Sequence, residues 1–374
     1  MGLDPAPAQW PRLESQEVHA VLERWGLDDL NSRVVWHSPR PLSAAAIVEL
    51  ADRRLFVKRH HRSVRTAPEL QEEHRFIQHL RAHGAPVSDV VEATDGTSAV
   101  ERGDWTYEVH EAGAGVDLYR DAVSWSPFVS VDHAIAAGHC LALLHIGSRG
   151  FDAPPRSAQL LVSNDRIIRS TEPLRVLLAL IEQRPALAEY FAGKNWQVEV
   201  ARAIAPFHHR FMDTLPHLES LWTHNDWHAS NLLWSDFGPT ASVRTVLDFG
   251  LSDRTSAVYD LATAIERNTI PWLDIHDGVA ASADLRLVSG LLRGYLRGRP
   301  LNIQEREALI AILPLVHVGY ALTEIDYFHG ITHSAENADL AYFGFLLGHC
   351  TWFETEPGQA LLAHVRRELQ QIAP

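Results

Sequence analysis

The hydrophobic pattern of the chain changes once, near residue 110, and this change limits the possible fold more than any other feature. Before it, short apolar runs bounded by turn residues predict strands at 34–36, 46–50, 55–58, 87–92 and 105–110. One helix is predicted among them, at 68–83, because apolar residues recur at helical spacing and Gly84 follows. After residue 110 almost every apolar pattern is helical. The sequence therefore predicts the α+β class, with a small N-terminal antiparallel sheet carrying one helix and a large, mainly helical C-terminal lobe.

The same change predicts two domains. We expect an N-terminal lobe at 1–110, whose first ~30 residues form a helical extension, and a C-terminal lobe at 111–374. The helical lobe is interrupted where strand patterns at 232–234 and 243–247 alternate with loops rich in His, Asp and Asn. Because functional side chains concentrate in loops that a rigid scaffold positions, we expect the functional site at this interruption.

Composition argues against several classes of protein. The 46% of hydrophobic residues and the 11 tryptophans can build a sizeable core, which a disordered chain lacks. The formal net charge of −14 argues against a generic nucleic-acid-binding protein, which carries a basic surface. The two cysteines lie far apart, the N-terminus lacks a secretory signal pattern, and the most apolar segment, 308–322, is shorter than a membrane span. We therefore expect a cytoplasmic protein without nucleic-acid or membrane partners, whose oligomeric state the sequence does not indicate.

Two motifs at the interruption supply the residue types that phosphoryl transfer requires. The first, from His224 to Asn231, reads H-N-D-W-H-A-S-N, and the second, at 246–250, reads V-L-D-F-G. Transfer from a nucleotide needs a carboxylate near the acceptor hydroxyl and oxygen ligands for Mg²⁺. Asp226 can accept the hydroxyl proton, while Asn231 and Asp248 can supply the oxygens. The hairpin predicted between the two strands brings Asn231 and Asp248 close together.

These motifs resemble those of the aminoglycoside phosphotransferase/choline kinase-like family, whose loop reads H-G-D-x-H-x-x-N. Four positions of this sequence match that pattern: His224, Asp226, His228 and Asn231. The resemblance implies a protein-kinase-like two-lobed fold and phosphorylation of a hydroxyl group on a small molecule. It also implies that the two histidines of the loop support its conformation.

The resemblance assigns roles to individual residues. Asp226 is expected to be the catalytic base, and Asn231 and Asp248 are expected to hold Mg²⁺. Residues 258–262, V-Y-D-L-A, resemble the family segment P-x-Y-D-L-A. The aspartate of that segment, here Asp260, is expected to brace the catalytic loop.

The N-terminal lobe carries the residues expected to bind nucleotide phosphates. Only two of the 33 basic residues are lysine, and Lys58 ends an apolar strand pattern. The resemblance places the phosphate-binding lysine at this position, and a compact ammonium suits that role. The helix at 68–83 resembles the family stretch E-x-x-x-L-x-x-L-x-x-x-G-x-P-V, and this register selects Glu73 as the ion-pair partner of Lys58. Glu69 and Glu72 remain alternatives to Glu73.

The remaining nucleotide contacts are expected at the hinge between the lobes and in the first loop of the sheet. The resemblance implies ATP or GTP as co-substrate, with the purine edge meeting the backbone of three residues, His110, Glu111 and Ala112. The loop at 38–43 contains no glycine. Its hydroxyl and backbone N–H groups are therefore expected to contact the phosphates.

The acceptor is less constrained than the nucleotide. The resemblance implies an alcohol such as an aminoglycoside, choline, homoserine or a sugar-like molecule, and the acidic total is a hint of a cationic one. Glu324, Asp326 and Trp227 are the candidates for acceptor contacts. For the two acids, the solvated face of an amphipathic helix is an equally good interpretation.

Other functions remain open on the sequence alone. A nucleotide-binding pseudokinase or regulatory module would share the fold, although all the expected catalytic positions are filled. A metal hydrolase would use His224, Asp226 and His228 as ligands, but it leaves Lys58 unexplained. A protein kinase is disfavoured by the second histidine of the loop and by the lack of an A-P-E-like segment after Asp248.

Overall fold

The computed structural model of the chain describes residues 10–27, 32–122 and 124–371. The helical extension predicted for the N-terminus therefore lies partly outside the described residues. Within them, a sheet-containing part comes first and a larger helical part follows.

A five-stranded antiparallel sheet forms the N-terminal part. Its strands are β1 (Arg33–His37), β2 (Ala44–Glu49), β3 (Arg54–His61), β4 (Ala99–Arg102) and β5 (Trp105–Glu111). Their order in space is β1-β2-β3-β5-β4, so β3 is central. Lys58 of β3 lies opposite Ala45 of β2 and Glu108 of β5. Because successive side chains alternate along a strand, Val57 enters the apolar core and Lys58 points to the other face.

Two helices accompany the sheet. α1 (Ser15–Leu22) buries one apolar face in a cluster with the valines of the sheet. α2 (Ala67–Ala82) begins with a capping box, in which Thr66 and Glu69 satisfy each other's backbone N–H groups. Phe76 of α2 lies in the core of the helical part, so this helix connects the two parts of the protein.

The sheet differs from the sequence prediction in one strand. Residues 87–92 make only isolated bridges, and the strand that pairs with the outer side of β5 is β4. The polar Ser88 and Asp89 interrupt the apolar run that predicted a strand. The carbonyl of Asp89 accepts the backbone N–H of Glu111 at 2.9 Å, so the segment contacts the end of β5 without forming a continuous ladder.

Most of the remaining chain is helical. Its helices are α3 (Val131–Gly147), α4 (Pro173–Gln183), α5 (Pro185–Phe191), α6 (Trp196–Thr214), α7 (Ala257–Thr269), α8 (Trp272–His276), α9 (Leu285–Gly298), α10 (Ile303–Ile312), α11 (Val318–Gly330), α12 (Ala335–Asp339), α13 (Gly348–Trp352) and α14 (Glu356–Gln371). A π-helical segment, Leu340–Leu347, joins α12 to α13. α3 and α9 pack with their backbones in contact, because a Cβ atom on Gly138 would lie 2.1 Å from the carbonyl oxygen of Leu291.

Two short antiparallel strand pairs interrupt the helices. The first pair is β6 (Leu221–Thr223) with β9 (Asp253–Thr255), and the second is β7 (Leu232–Trp234) with β8 (Val243–Val246). The second pair is the hairpin predicted from the sequence, whereas β6 and β9 were not predicted. The prediction of the α+β class, with a small antiparallel sheet and a helical lobe, is confirmed.

One helical stretch, Ile303–Gly330, is long and apolar enough to cross a membrane by length and composition alone. The sequence analysis took 308–322 as the most apolar segment and judged it shorter than a membrane span, but the helical stretch of the structure extends beyond that segment at both ends. Of its most apolar window, 94% is buried inside the protein. Such burial is typical of the core helix of a globular protein, so the stretch is weak support for a membrane span.

Candidate active site

One buried carboxylate, that of Asp260, fixes the backbone of the loop between β6 and β7. Asp260 of α7 accepts the backbone N–H groups of His224 and Asn225, both at 2.8 Å. Its Oδ2 also lies 3.0 Å from Nε2 of His145, which is fully buried and contacts the hydroxyl of Tyr295 through its other nitrogen. This is the bracing geometry that the family resemblance implies for Asp260, and His145 takes a packing role.

Replacing Asp260 with asparagine is expected to destabilise the protein by about 2 kcal/mol, because hydrogen bonds to a charged group contribute about 1.5–3 kcal/mol. The amide retains one acceptor oxygen and turns a donor toward the backbone N–H groups. Urea unfolding of the variant measures the loss. The exposed Asp277→Asn serves as the control, and equal stability of the two variants would contradict the bracing role.

Asp226 is 7% exposed and makes three contacts with its carboxylate. Oδ1 pairs with the guanidinium of Arg267 and lies 3.6 Å from Nε2 of His228, while Oδ2 accepts Nδ2 of Asn231 at 3.0 Å. Burial raises the pKa of the Asp226 carboxyl, but Arg267 and His228 outweigh burial and hold that pKa well below its ordinary value. Asp226 is therefore ionised at neutral pH and can accept a hydrogen bond from a hydroxyl group.

Arg267 is a site residue that the sequence analysis missed. It lies seven residues after Asp260 on α7, so both side chains project from the same face of the helix. Its guanidinium lies 5.3 Å from the ring centre of Trp125 and 5.2 Å from that of Tyr320. The spacing on α7 was the available signal. Because Asp260 contacts the loop, a residue two turns later on the same face of α7 can also reach it.

Asn231 and Asp248 meet across the β7–β8 hairpin. The carbonyl of Asn231 accepts the backbone N–H of Leu247 at 2.8 Å. Asp248 follows with φ of 55°, a conformation that aspartate adopts more readily than most residues. The hairpin therefore brings the two predicted metal ligands to the same end of the strand pair.

Lys58 reaches this point from the other part of the protein. Its Nζ lies 3.1 Å from Oδ1 of Asp248. Burial lowers the pKa of Lys58, but the negative charges of Asp248, Glu108 and Glu73 raise it more. Partial burial raises the pKa of the Asp248 carboxyl, and Lys58 outweighs this effect and holds that pKa below its ordinary value. Both groups are therefore charged and face each other across the cleft between the two parts.

Asn231 and Asp248 have the donor atoms that a hard divalent cation requires. Nδ2 of Asn231 donates to the backbone carbonyl and to Oδ2 of Asp226, both at 3.0 Å. This fixes the orientation of the amide and directs its oxygen away from Asp226. The side chain of Asp248 is 43% exposed, so its carboxylate is accessible from the cleft. The residues present therefore fit Mg²⁺.

Glu73 has a different partner from the one predicted. Its Oε2 lies 3.2 Å from NH1 of Arg156, and the same nitrogen donates to the carbonyl of Gly250 at 3.1 Å. Lys58 is paired with Asp248 instead, so the expected Lys58–Glu73 ion pair is wrong for this structure. The sequence did not reveal this because Arg156 lies in a segment without a recognisable motif.

The predicted purine-contacting residues are largely bound within the chain. The imidazole of His110 lies 2.9 Å from Glu108. The backbone N–H groups of Glu111 and Ala112 donate to the carbonyls of Asp89 and Arg54, both at 2.9 Å. These two N–H groups are therefore not available to a purine in this structure.

The loop between β1 and β2 contributes an arginine where hydroxyls and backbone N–H groups were expected. Arg40 donates to the hydroxyls of Ser124, at 2.7 Å, and Ser230, at 2.9 Å. Burial lowers the pKa of the Arg40 guanidinium, while Asp117, Asp226 and Asp248 raise it. Arg40 thus places a cation near the carboxylates of the cleft, and its position between Pro39 and Pro41 was the only signal in the sequence.

The three residues predicted to contact the acceptor are buried. Trp227 is fully enclosed and packs edge-on against His224, so it presents no face to a ligand. Glu324 is 2% exposed. Asp326 pairs with Arg184 at 3.4 Å. The predicted stacking role of Trp227 is wrong for this structure, and the two acids lie inside the packed helical part instead of on its surface.

His224, the first ligand of the metal-hydrolase hypothesis, is not available to an ion. Nδ1 of His224 accepts the backbone N–H of Asp226 at 3.2 Å, and its Nε2 donates to the carbonyl of Leu247 at 2.9 Å. Both ring nitrogens are therefore used within the chain. His224 has no lone pair left for a metal, so the geometry disfavours this hypothesis.

Comparisons with known proteins agree with this geometry. Residues 43–301 match the model of the phosphotransferase enzyme family, a range that includes Lys58, Asp226 and Asp248. An uncharacterized protein of Deinococcus radiodurans is 26% identical over 325 residues, which cover 85% of this chain and 84% of that protein.

Solved structures with the same fold come from kinases. An aminoglycoside phosphotransferase of Alicyclobacillus acidocaldarius has a TM-score of 0.57 at 19% identity, covering 98% of this chain and 98% of that chain. A microcompartment-associated aminopropanol kinase has a TM-score of 0.61 at 19% identity, covering 95% and 100%. An amicoumacin kinase in complex with AMP-PNP and Ca²⁺ has a TM-score of 0.54 at 15% identity, covering 96% and 97%.

Proposed function

The chain belongs to the phosphotransferase enzyme family and is a small-molecule kinase, and we propose that it transfers the γ-phosphoryl group of ATP or GTP to a hydroxyl group, with Mg²⁺ as cofactor. The observation that carries this proposal is the 3.1 Å contact between Nζ of Lys58 and Oδ1 of Asp248. It joins the two parts of the protein at one point, beside the loop that contains Asp226. A triphosphate in the cleft would meet all three groups.

On the nucleotide side, Lys58 binds phosphate oxygens as a compact cation. Asn231 and Asp248 hold Mg²⁺, which, when bound, neutralises charge on the phosphates during transfer. Glu73 links α2 to Arg156, and the guanidinium of Arg156 also contacts the loop after Asp248. The hinge residues His110, Glu111 and Ala112 lie beside the purine. They contact it with groups other than the backbone N–H groups of Glu111 and Ala112, which are already bonded within the chain.

On the acceptor side, Asp226 orients the hydroxyl group and receives its proton. Arg267 and Asn231 hold the carboxylate in one orientation, which supports positioning as its main contribution. His224 and His228 support the loop, and Asp260 fixes its backbone. Little covalent chemistry is required of the protein, because charge neutralisation and alignment lower the barrier.

For the acceptor, we propose a small alcohol, with an amine-bearing alcohol as the preferred class. The structural neighbours named for aminoglycosides and for aminopropanol support this class, since both names denote molecules with hydroxyl and amine groups. Choline, homoserine and sugar-like alcohols are the other members of the panel to test. The division into lobes at 1–110 and 111–374 and a cytoplasmic location complete the proposal.

Arg40 is expected to contribute to nucleotide binding. Replacing it with methionine should raise the KM for the nucleotide about 10–100-fold, because bonds to charged groups contribute about 1.5–3 kcal/mol. Arg33→Met is the matched control, since Arg33 lies in the same hairpin with an exposed side chain paired to Glu49. Steady-state kinetics at saturating acceptor measure the effect. An unchanged KM in the Arg40 variant would show that the loop contacts phosphates in another way.

The function is tested in two steps with the full chain. Thermal-shift measurements with ATP and GTP, each with and without Mg²⁺, should show stabilisation that depends on the metal. Transfer of labelled γ-phosphate to a panel of aminoglycosides, amino alcohols and sugars should then identify a product. Nucleotide binding without transfer to any member would favour a pseudokinase or regulatory module.

A further inference from the structure

A second group of polar side chains lies buried in the helical part, behind the catalytic loop. Glu266 of α7, His317 just before α11 and His349 of α13 are 1%, 5% and 2% exposed. One nitrogen or oxygen from each lies within 4.8 Å of the others. Three elements that are distant in sequence therefore converge on one point with one carboxylate and two imidazoles.

Three of the atoms that face this point have no hydrogen-bond partner in the described part of the chain. Nδ1 of His349 and Oε1 of Glu266 are 2.7 Å apart, yet neither of them makes a hydrogen bond of acceptable geometry within the described chain. The second carboxylate oxygen of Glu266 also has no hydrogen-bond partner there. Nδ1 of His317 lies 3.6 Å from Oε1 of Glu266. A buried carboxylate without hydrogen bonds is costly unless another group compensates its charge.

The outward nitrogens of the two imidazoles have neighbours that would orient them. Nε2 of His349 lies 3.3 Å from Nε2 of His276, and Nε2 of His317 lies 3.8 Å from Oε2 of Glu324. In metal sites, an imidazole that binds the ion with one nitrogen presents the other to a polar partner. His349 has such a partner within hydrogen-bond distance, whereas the 3.8 Å between His317 and Glu324 would have to shorten when the ion binds.

Aromatic packing fixes the positions of these side chains. The ring of His349 stacks on Trp272 with centroids 3.6 Å apart and an angle of 8° between the planes. His317 packs against Trp125 at 5.0 Å. The π-helical segment Leu340–Leu347 directly precedes the helix that carries His349, and π-helical turns often occur at functional sites.

A comparable cluster in the sheet shows what a closed network of the same residue types looks like. Oε1 of Glu108 contacts His60 at 2.9 Å, and its Oε2 contacts His74 at 2.7 Å and His110 at 2.9 Å. Nδ1 of His74 is bonded to the hydroxyl of Ser98. Both carboxylate oxygens of this cluster are satisfied by the chain, so it needs no ion. The contrast distinguishes the Glu266 cluster from an ordinary buried network.

We propose that Glu266, His317 and His349 bind a divalent transition-metal ion, with zinc as the best match. Two imidazole nitrogens and a carboxylate oxygen form a typical zinc donor set, whereas Mg²⁺ and Ca²⁺ prefer oxygen alone. With zinc bonds of about 2.0–2.2 Å in a tetrahedral site, two donors lie about 3.4 Å apart. The 3.6 Å between Nδ1 of His317 and Oε1 of Glu266 is close to that separation, and the 2.7 Å between Nδ1 of His349 and Oε1 of Glu266 would have to widen. Glu266 directly precedes Arg267, so the ion would fix the end of α7 that contacts Asp226.

The test uses the full chain with its purification tag removed and prepared without chelators. Elemental analysis by mass spectrometry should find about one zinc per chain, and chelator-treated protein should regain it on titration with Zn²⁺. Glu266→Gln and His349→Gln should lose stoichiometric zinc. Glu324→Gln, which removes only an orienting partner, should weaken zinc binding about 10–100-fold.

Two controls separate this site from other histidines. His74→Gln changes the closed cluster of the sheet and His228→Gln changes the catalytic loop, and both should keep the bound zinc. Substitution of Co²⁺ into the wild-type protein should give visible absorption of a nitrogen- and oxygen-ligated ion, which does not depend on any variant folding. Circular dichroism checks that the ligand variants remain folded.

The proposal would be overturned if neither Zn²⁺ nor Co²⁺ binds the wild-type chain at one equivalent. It would also be overturned if folded Glu266→Gln and His349→Gln bind zinc as tightly as the wild type, or if His228→Gln alone loses it. A sulfur-to-cobalt charge-transfer band would assign the ion to a cysteine such as the buried Cys350 and refute this ligand set.

Discussion

Replacing Asp226 with asparagine is expected to lower kcat by about 10²–10⁴-fold, the usual contribution of a positioned acid or base. The amide cannot take a proton, and it breaks the ion pair with Arg267. The bond with Asn231 can persist, because the asparagine oxygen remains an acceptor. Lys58, Asn231 and Asp248 are unchanged, so the affinity for the nucleotide with Mg²⁺ should stay close to that of the wild type.

Initial rates of phosphate transfer and calorimetric titration of the nucleotide together check this expectation. Asp213→Asn is the matched control, since Asp213 is an exposed aspartate on α6 whose carboxylate lies near His209 of the same helix. Turnover by Asp226→Asn at the wild-type rate would refute the assignment of the base. A large loss of nucleotide affinity would instead show that the substitution disturbs the phosphate side of the cleft.

Asp248→Asn is expected to lower kcat/KM by about 10²–10³-fold, the range observed when one contact to developing charge is removed. The substitution removes a charged oxygen ligand from the proposed Mg²⁺ site. It also leaves the partly buried Lys58 without its direct ion-pair partner. The Mg²⁺ dependence of nucleotide binding should therefore shift to higher metal concentrations, in contrast to Asp226→Asn.

Titration of nucleotide binding and activity with Mg²⁺ measures this shift. Asp236→Asn is the control, because Asp236 lies in the turn of the same β7–β8 hairpin and its carboxylate accepts hydrogen bonds from Ser235 and Gly238 of that turn. A Mg²⁺ dependence equal to that of the wild type in Asp248→Asn would rule out Asp248 as a metal ligand.

The fold and the centre of the site follow from local patterns in the sequence. The change of periodicity near residue 110 gave the sheet and the helical lobe. The motif from His224 to Asn231 gave the loop, since its residues are close in sequence as well as in space. Lys58 and Asp248 were expected to share a cleft because the family resemblance places Lys58 at the nucleotide phosphates and Asp248 at the Mg²⁺ that binds them.

The arginines of the site could not be predicted in the same way. Arg40 and Arg156 each contact residues more than 80 positions away, in segments without a motif. No local pattern indicates such a contact, and with 31 arginines in the chain the residue type alone selects none of them. Arg267 is the exception, because its spacing from Asp260 on one helix was visible.

The mistaken predictions have a common physical cause. Trp227 was assigned to a ligand surface because it is an aromatic residue next to the expected base, and Glu324 because it is an acidic residue in the C-terminal helical region. Tertiary packing decides exposure, however, and both side chains are buried. The Lys58–Glu73 pair failed for a similar reason, because a guanidinium from outside either motif reaches Glu73.

Arg40 has a consequence for how the cleft operates. Its two serine partners belong to the helical part of the protein, so the side chain joins that part to the hairpin between β1 and β2. Phosphate oxygens offer stronger, charge-assisted bonds than serine hydroxyls. We therefore expect a bound triphosphate to replace the two serines as the partner of Arg40, which would weaken this link between the two parts of the protein.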